Sequence, residues 1–485
     1  MRVDRRIDAD AVIIGSGAAG AVVASALAVA GAKVIVLEEG PRATAEDLHG
    51  DPARAVRRFY RNAGAVVSIG APPISIQVGR AVGGSTLING GTCFRTPDHV
   101  LHAWSEALGG AFRPQDLDAD FLRVEGVLAV QPVAPDQAFV GERRLLEAAL
   151  SRGDRGGYVK RNVRACQGSH LCPFVCPTDA KQSVDKNYLR TAEAAGAQVL
   201  ADTTALRIVM EGPRAIGVLA AQADGAGLLV RAPIVTLAAG ALHSPVLLRR
   251  SLGWRTPRAV GRSLFLHPGA HVAGIFNEPV VPRRGPIQSI YVSGPDDGYV
   301  IYGMGYPPEV FSVFTLEAGG GLQNLARFER SVTLAVMAAD HGSRGQLRGL
   351  GAMPLPLYAI GRDDAQQLVN GMAHAAELLL GIGATSVYVS VRGFGPLTTA
   401  ADVARLRAAP VDLRRLVLGS VHPMGTAPMG LDPNASALDP DLRPHGTRGL
   451  YVPDASFFPS SLGVNPQITI MAFAERAARH MLQTL

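Results

Sequence analysis

Three groups of residues in this chain have the types and spacing to do chemistry. The first is Gly15-x-Gly17-x-x-Gly20, placed between the apolar run Ala11-Val12-Ile13-Ile14 and a helix-forming stretch rich in Ala, Val and Leu. Gly15 suits a tight turn, Gly17 lets the backbone approach a pyrophosphate, and Gly20 lets helix and strand pack closely. A second apolar run, Lys33 to Leu37, ends on Glu38, whose carboxylate can accept hydrogen bonds from a ribose hydroxyl pair. Strand, glycine turn, helix, strand and acid in that order form a dinucleotide site. The second group is Gly79–Arg95, where five glycines alternate with Ser and Thr, a backbone able to press against a ligand. The third is Cys166-x5-Cys172-x3-Cys176, with Pro173 and Pro177 each following a cysteine. That density suits a metal or cluster site. Three thiolates fit a three-iron cluster better than tetrahedral zinc, although His170 can complete a zinc site. The competing reading is three reduced thiols packing a loop.

The elements that must position these groups are legible in outline. Ala11 to Ile14 reads as a buried parallel strand. Pro114 to Leu128 places Leu117, Phe121, Val124 and Leu128 on one helical face. Phe139 to Leu150 and Asp363 to Leu380 are further helices. Short β-like runs follow Gln198, Ala205 and Ala215 and lead to the apolar strand Ile234 to Ala238. Between 270 and 360, β-like runs alternate with turns such as Gly319-Gly320-Gly321, and Tyr291, Tyr299, Tyr302, Tyr306, Phe311 and Phe314 gather there. They serve a sheet core better than a substrate wall.

Bulk properties bound the function. A chain of 485 residues, 47% hydrophobic and 18% charged, is globular and long enough for more than one domain. The net charge of +6 comes from scattered arginines, with no basic run or basic-aromatic stripe that points to nucleic acid. Four cysteines are too few for a disulfide scaffold. Arg5-Arg6 before an apolar stretch imitates a twin-arginine signal, but the glycine motif accounts for that stretch. No run reaches the length of a membrane span. The expectation is a cytoplasmic protein, with export beside a signal-bearing partner left open.

Gly83-Gly84-Ser85-Thr86-x-x-Asn89, with the N-terminal motif, resembles the glucose–methanol–choline (GMC) family of flavin oxidoreductases. Ala241-Leu242-His243-Ser244-Pro245 looks like its second signature, and Ala180-Lys181-Gln182-Ser183 resembles a segment of cholesterol oxidases and long-chain alcohol oxidases. The second signature's usual Ser-Gly ending is Ser251-Leu252-Gly253 here. The resemblance implies an α/β protein: a discontinuous Rossmann-type FAD domain (1–96, 178–268 and 411–485) and an inserted substrate domain (97–177 and 269–410) built on an antiparallel sheet flanked by helices. It implies FAD held by Gly15, Ser16, Gly17, Ala19, Gly20 and Glu38 at one end. Gly83, Gly84, Ser85, Asn89 and Gly90 would lie along the flavin, with Ala205, Asp454, Ala455 and Pro466 completing the site. Members with covalent FAD carry a histidine where this chain has Ile88, so noncovalent FAD is expected.

The same resemblance assigns His422, in His-Pro-x-Gly-Thr, and Asn465, in Val-Asn-Pro, to the flavin's reactive face. A lone His-Pro is usually structural, and His267-Pro268 in this chain shows how common the dipeptide is. A neutral imidazole takes an alcohol's hydroxyl proton near neutral pH while hydride leaves carbon for flavin N5. An asparagine amide orients the substrate oxygen without competing for that proton. The cysteine spacing is similar to that of the flavin subunits of bacterial cytochrome-linked sugar dehydrogenases, which carry a [3Fe–4S] cluster. That implies a quinone or cytochrome acceptor, and a cytochrome or small accessory subunit as partner. The alternatives are an O2-using alcohol or sterol oxidase, a hydroxynitrile lyase that binds FAD without redox use, and an electron-transfer subunit.

Overall fold

The structure is a computed structural model and describes residues 2–280, 285–294, 298–308, 311 and 322–485. Phe314 and the Gly319 to Gly321 run lie outside the described residues. Three sheets organise the rest.

The first is a five-stranded parallel sheet in the order Leu450–Tyr451, Ile234–Leu237, Ala11–Ile14, Val34–Leu37, Gln198–Leu200. All four residues of Ala11–Ile14 are buried, as a strand covered on both faces requires. The helix Ala18–Val29 packs against the helices Gln467–Leu482 and Tyr188–Ala194. It is apolar nearly all round and buried over most of its length, opening to solvent at its C-terminal end, where Val29 is exposed. Strands from three distant stretches of sequence therefore build one dinucleotide-type sheet. Arg5–Asp8, the stretch that imitates an export signal, is a strand paired in parallel with Gly227–Arg231 in a four-stranded sheet.

The largest sheet runs Ile74–Ile76, Leu418–Ser420, Gly269–Ile275, Ser331–Ala338, Tyr299–Met304, Ile290–Ser293, Arg155–Tyr158, with Ser386–Val389 beside Gly269–Ile275. It is antiparallel except where Ile74–Ile76 meets Leu418–Ser420. The 20-residue helix Arg362–Gly381 covers it. Leu418–Ser420 delivers the chain directly into His422, so the substrate-side sheet positions a residue expected at the flavin.

Leu117, Phe121, Val124 and Leu128 are all buried, the face their spacing predicts. They join the core of the parallel sheet rather than that of the large sheet, as do Val100, Leu101 and Trp104 on the helix Asp98–Ala107. An amphipathic face announces burial but not the partner that supplies it. Tyr299, Tyr302 and Phe311 are buried, in keeping with sheet packing. Among the described residues, no helix is long and apolar enough to cross a membrane.

Glu142, on the helix Val140–Ser151, is buried against the large sheet and accepts a hydrogen bond from the Ser289 hydroxyl. Burial pushes its pKa up to about 7. A carboxyl with a raised folded pKa contributes its stability below the unfolded value and loses it as pH rises through 7. Glu142→Gln is therefore expected to match wild type near pH 5 and to be more stable at pH 8, by about 3 kcal/mol from the displacement between the two states. Denaturant unfolding at the two pH values checks this; a difference that does not change with pH overturns it.

Candidate active site

The two glycine motifs meet. Gly15 has φ +93°, and a Cβ there would lie 2.3 Å from Ala238 O, so the turn admits glycine alone. A Cβ on Gly84 would lie 2.7 Å from Gly17 Cα, so the backbones of the two loops touch. Ser16 joins them chemically: its hydroxyl accepts from Gly83 N at 3.1 Å and donates to Glu38 Oε2 at 2.7 Å. Glu38 also accepts from Ser16 N at 3.0 Å and Gly40 N at 2.8 Å. Burial pushes the Glu38 pKa up, while those hydrogen bonds pull it down. Ala19 and Gly20 are buried in the helix that follows. Ala205 lies two residues beyond Thr203, whose N–H donates to Glu38 O at 2.8 Å.

Asp454, buried after the strand Leu450–Tyr451, accepts from Gly240 N at 2.7 Å, Ser244 Oγ at 2.5 Å, Ser456 N at 2.9 Å and Ser456 Oγ at 2.5 Å. It ties the second signature to the C-terminal segment. Ala455 O accepts from Gly425 N at 2.9 Å, which holds the loop after His422. Ser85 Oγ accepts from Gly79 N at 2.9 Å and closes the glycine loop.

Asn89 Nδ2 donates to Gln467 Oε1, the first residue of the terminal helix, and Pro466 precedes that helix. Two buried cations support the Asn89 loop from beneath. Lys181 Nζ donates to Leu87 O at 2.8 Å, Asn89 O at 2.9 Å and Cys172 O at 2.7 Å. Arg161 Nη2 donates to Gly90 O at 2.8 Å and to Cys172 Sγ at 3.1 Å.

The two side chains expected at the flavin's reactive face come from the loops 421–426 and 461–466. His422 Nε2 lies 3.1 Å from Asn465 Nδ2. Asn465 Oδ1 accepts from the Tyr302 hydroxyl at 3.1 Å. His267 Nδ1 lies 3.4 Å from His422 Nδ1, and His267 Nε2 accepts from Gly463 N at 3.0 Å. Burial lowers the His422 pKa to about 4, so the imidazole is neutral at pH 7 and free to accept a proton. Beneath the site, buried Asp340 accepts from Leu266 N at 2.6 Å, His267 N at 3.4 Å, Ser461 Oγ at 2.7 Å and Tyr358 OH at 2.8 Å. One carboxylate thus clamps the His267 segment to the loop that carries Asn465.

Sequence reasoning set His267 aside as a structural His-Pro and singled out neither Asp340 nor Tyr302 for the site. No local pattern marks any of them, since their partners are remote in sequence.

The cysteines depart from the cluster reading. Cys166, Cys172 and Cys176 are free thiols, and among the described residues no three His, Cys, Asp or Glu side chains gather to hold a metal. The Arg161 guanidinium stands against the sulfurs of Cys172 and Cys166, while Cys176 Sγ contacts Thr178 Oγ1 at 3.4 Å. His170 turns its ring to Gly305 O at 3.1 Å and stacks on Phe139. The arrangement does not fit an iron–sulfur cluster or zinc.

A parallel dinucleotide-type sheet beside a large antiparallel sheet, with buried His422 against half-buried Asn465, is the arrangement expected of a two-domain flavin oxidoreductase. The GMC oxidoreductase pattern matches residues 56–269 with its N-terminal part and 343–474 with its C-terminal part. The chain is 39% identical over 474 residues to an uncharacterised GMC-type oxidoreductase of Mycobacterium tuberculosis, covering 96% of this chain and 74% of that one. It is 28% identical over 520 residues to the long-chain-alcohol oxidase FAO3 of Arabidopsis thaliana, covering 97% and 67%. Among solved structures it resembles pyridoxine 4-oxidase from Mesorbium loti, with TM-score 0.74, 19% identity, and 97% and 98% of the two chains covered. It also resembles a variant of Aspergillus oryzae formate oxidase, with TM-score 0.77, 16% identity, and 100% and 99% covered. The chain belongs to the GMC oxidoreductase family of FAD flavoproteins.

The residues present fit FAD. The helix Ala18–Val29 has neither a side-chain cap nor an acidic residue in its first turn, and space is open at Gly17, where a Cβ would meet only Gly84 Cα at 3.8 Å. Its terminal N–H groups are thus free for a pyrophosphate. At the other end, Gln467 Nε2 is a buried donor without a partner, beside Asn89 and at the head of the terminal helix. A flavin ring edge would supply the acceptor such a donor lacks.

Proposed function

We propose that this chain oxidises the CH–OH group of an apolar alcohol to a carbonyl, with noncovalent FAD as cofactor. FAD, when bound, supplies the acceptor for the hydride. His422 takes the hydroxyl proton at Nε2, and Asn465 orients the alcohol oxygen through its amide. The observation that carries this reading is the pairing of these two side chains at 3.1 Å, with His422 buried and Asn465 half-buried. A neutral general base in contact with the reacting hydroxyl contributes about 10²–10⁴ in rate. Tyr302 fixes the asparagine amide, and burial holds its own phenol well above the usual range, so it stays protonated.

The surroundings support an apolar substrate. Tyr302 belongs to a cluster with Val159, Val300 and Met337, against which Phe94, Tyr291 and Met304 pack. This cluster packs the sheet core, and an apolar substrate whose hydroxyl met the polar pair would lie against its apolar edge rather than against charged groups. That the Arabidopsis relative is named a long-chain-alcohol oxidase agrees with this.

The electron acceptor is read two ways. A quinone or cytochrome is one; O2 is the other, and the oxidase names of the relatives favour it. No relay through the three thiols is proposed, given how Arg161 stands among them. The test is anaerobic reduction of the purified flavoprotein by aliphatic, aromatic, sterol and sugar alcohols. Bleaching of the visible flavin absorbance by apolar alcohols is the expected result. Admitting O2 and then a quinone dye identifies the acceptor. A flavin that no alcohol bleaches overturns the oxidation reading in favour of a lyase.

A further inference from the structure

The histidine pair carries more information than its distance. The backbone N–H of Gly463 points at His267 Nε2 at 3.0 Å, and a backbone amide can only donate. His267 Nε2 must therefore present its lone pair. The ring is 1% exposed, and burial together with the neighbouring His422 holds it well below the usual imidazole range, so it is neutral. Its single proton then sits on Nδ1, facing His422 Nδ1 at 3.4 Å. A donor there leaves His422 Nδ1 as the acceptor. His422 is neutral as well, so its own proton is on Nε2. The opposite register sets two N–H groups face to face between Gly463 and His267.

We infer that His267 is a positioning residue that sets the tautomer of His422, so that the resting enzyme presents an N–H, not a lone pair, at His422 Nε2. In the structure Asn465 turns Nδ2 to His422 Nε2 and Oδ1 to the Tyr302 hydroxyl. The tautomer set by Gly463 requires that amide turned over, with its oxygen accepting from the Nε2–H and its nitrogen donating to the Tyr302 oxygen. This exchange of two atoms leaves the shape of the side chain unchanged. Asp340 holds the arrangement in place. It grips the backbone of Leu266 and His267 on one side and Ser461 on the other, two residues before Gly463. The donor and the ring it addresses cannot drift apart.

This inference rests on the reading of His422 as the acid–base group and adds a condition to it. An Nε2–H orients an incoming alcohol by donating to its oxygen. A lone pair for the hydroxyl proton appears at Nε2 only when His267 passes its Nδ1 proton to His422 Nδ1 while His422 Nε2 gives up its proton to water and His267 Nε2 takes one from water. The Gly463 amide opposes that tautomer exchange. The side chain sets which form is populated; the substrate must shift it.

The test is ring-¹⁵N histidine spectroscopy of the FAD-loaded enzyme, with His422→Gln and His267→Gln giving the assignments. The expected spectrum shows His422 protonated at Nε2 and bare at Nδ1, and His267 protonated at Nδ1. In His267→Gln the amide can still accept from Gly463 and donate to His422, so the His422 signal keeps its form and turnover stays within about tenfold, one hydrogen bond's worth. In His267→Leu nothing donates to Nδ1; His422 shows a mixture of tautomers, and kcat falls with FAD content unchanged. A wild-type His422 protonated at Nδ1, or a His267→Leu enzyme that keeps pure Nε2–H, overturns the inference. If the leucine variant does not fold, the wild-type spectrum alone decides. Full turnover in His422→Gln sinks the catalytic reading instead and leaves the tautomer measurement standing.

Discussion

His422→Ala is expected to bind FAD like wild type and to lose turnover by about 10²–10⁴-fold, the range a positioned base supplies. The separation of the two effects follows from where the side chain points. His422 contacts Asn465 and His267, whereas Ser16 ties Gly83 to Glu38, and Asp454 is held separately by Gly240, Ser244 and Ser456. Nothing in the nucleotide cradle depends on the imidazole. The alanine variant does leave Asn465 and His267 each short of a partner in a buried site, so some stability is lost as well, about 1–3 kcal/mol. The measurement is the flavin-to-protein ratio after desalting, followed by the rate of anaerobic bleaching with the best alcohol. Retained flavin with bleaching at the wild-type rate removes His422 from the mechanism. Loss of flavin instead means that the residue shapes the cofactor site.

Lys181→Met should produce the largest loss of stability among single changes around the loop. The ammonium is 1% exposed and donates to three backbone carbonyls, at Leu87, Asn89 and Cys172. Methionine fills much the same volume but leaves those three oxygens short of a donor, about 1–3 kcal/mol for each. Relief of the buried charge offsets part of this, since burial lowers the lysine pKa to about 8. A net loss of about 3–5 kcal/mol is the expectation, as for breaking other buried charged contacts. The same change frees the segment that carries Asn89, so FAD should dissociate more readily. Lys181→Arg is not a rescue: a planar fork does not match three acceptors that converge on one point. Denaturant midpoints and FAD retention on dilution check both parts, and an unchanged midpoint with FAD fully retained defeats the argument.

How much of this could be read in advance differs from residue to residue. The Gly15–Gly20 turn and Glu38 were legible because their geometry is local: one strand, one turn and one helix, each dictated by neighbours in sequence. The burial of Leu117, Phe121, Val124 and Leu128 was legible for the same reason, since a 3.6-residue period needs no knowledge of the rest of the chain. The core they enter was not. The cysteines show the reverse case. Three thiols within eleven residues look like ligands in a line of text, yet the fold sets the Arg161 guanidinium against two of the sulfurs, and the spacing becomes incidental.

By itself, then, the sequence marked the glycine turn beside Glu38, the family, and the two side chains proposed as the reactive pair. Short-range backbone chemistry and motif order carry that much. The tertiary structure decided how those side chains are held. His267 reaches His422 across 155 residues and Asp340 reaches Leu266 across 74, contacts that exist because the large sheet sets Gly269–Ile275 beside Leu418–Ser420 on one side and beside Ser331–Ala338 on the other. A hydrogen-bond register running from Gly463 through two imidazoles has no one-dimensional signature. It depends on angles and distances between loops, and those are set by packing.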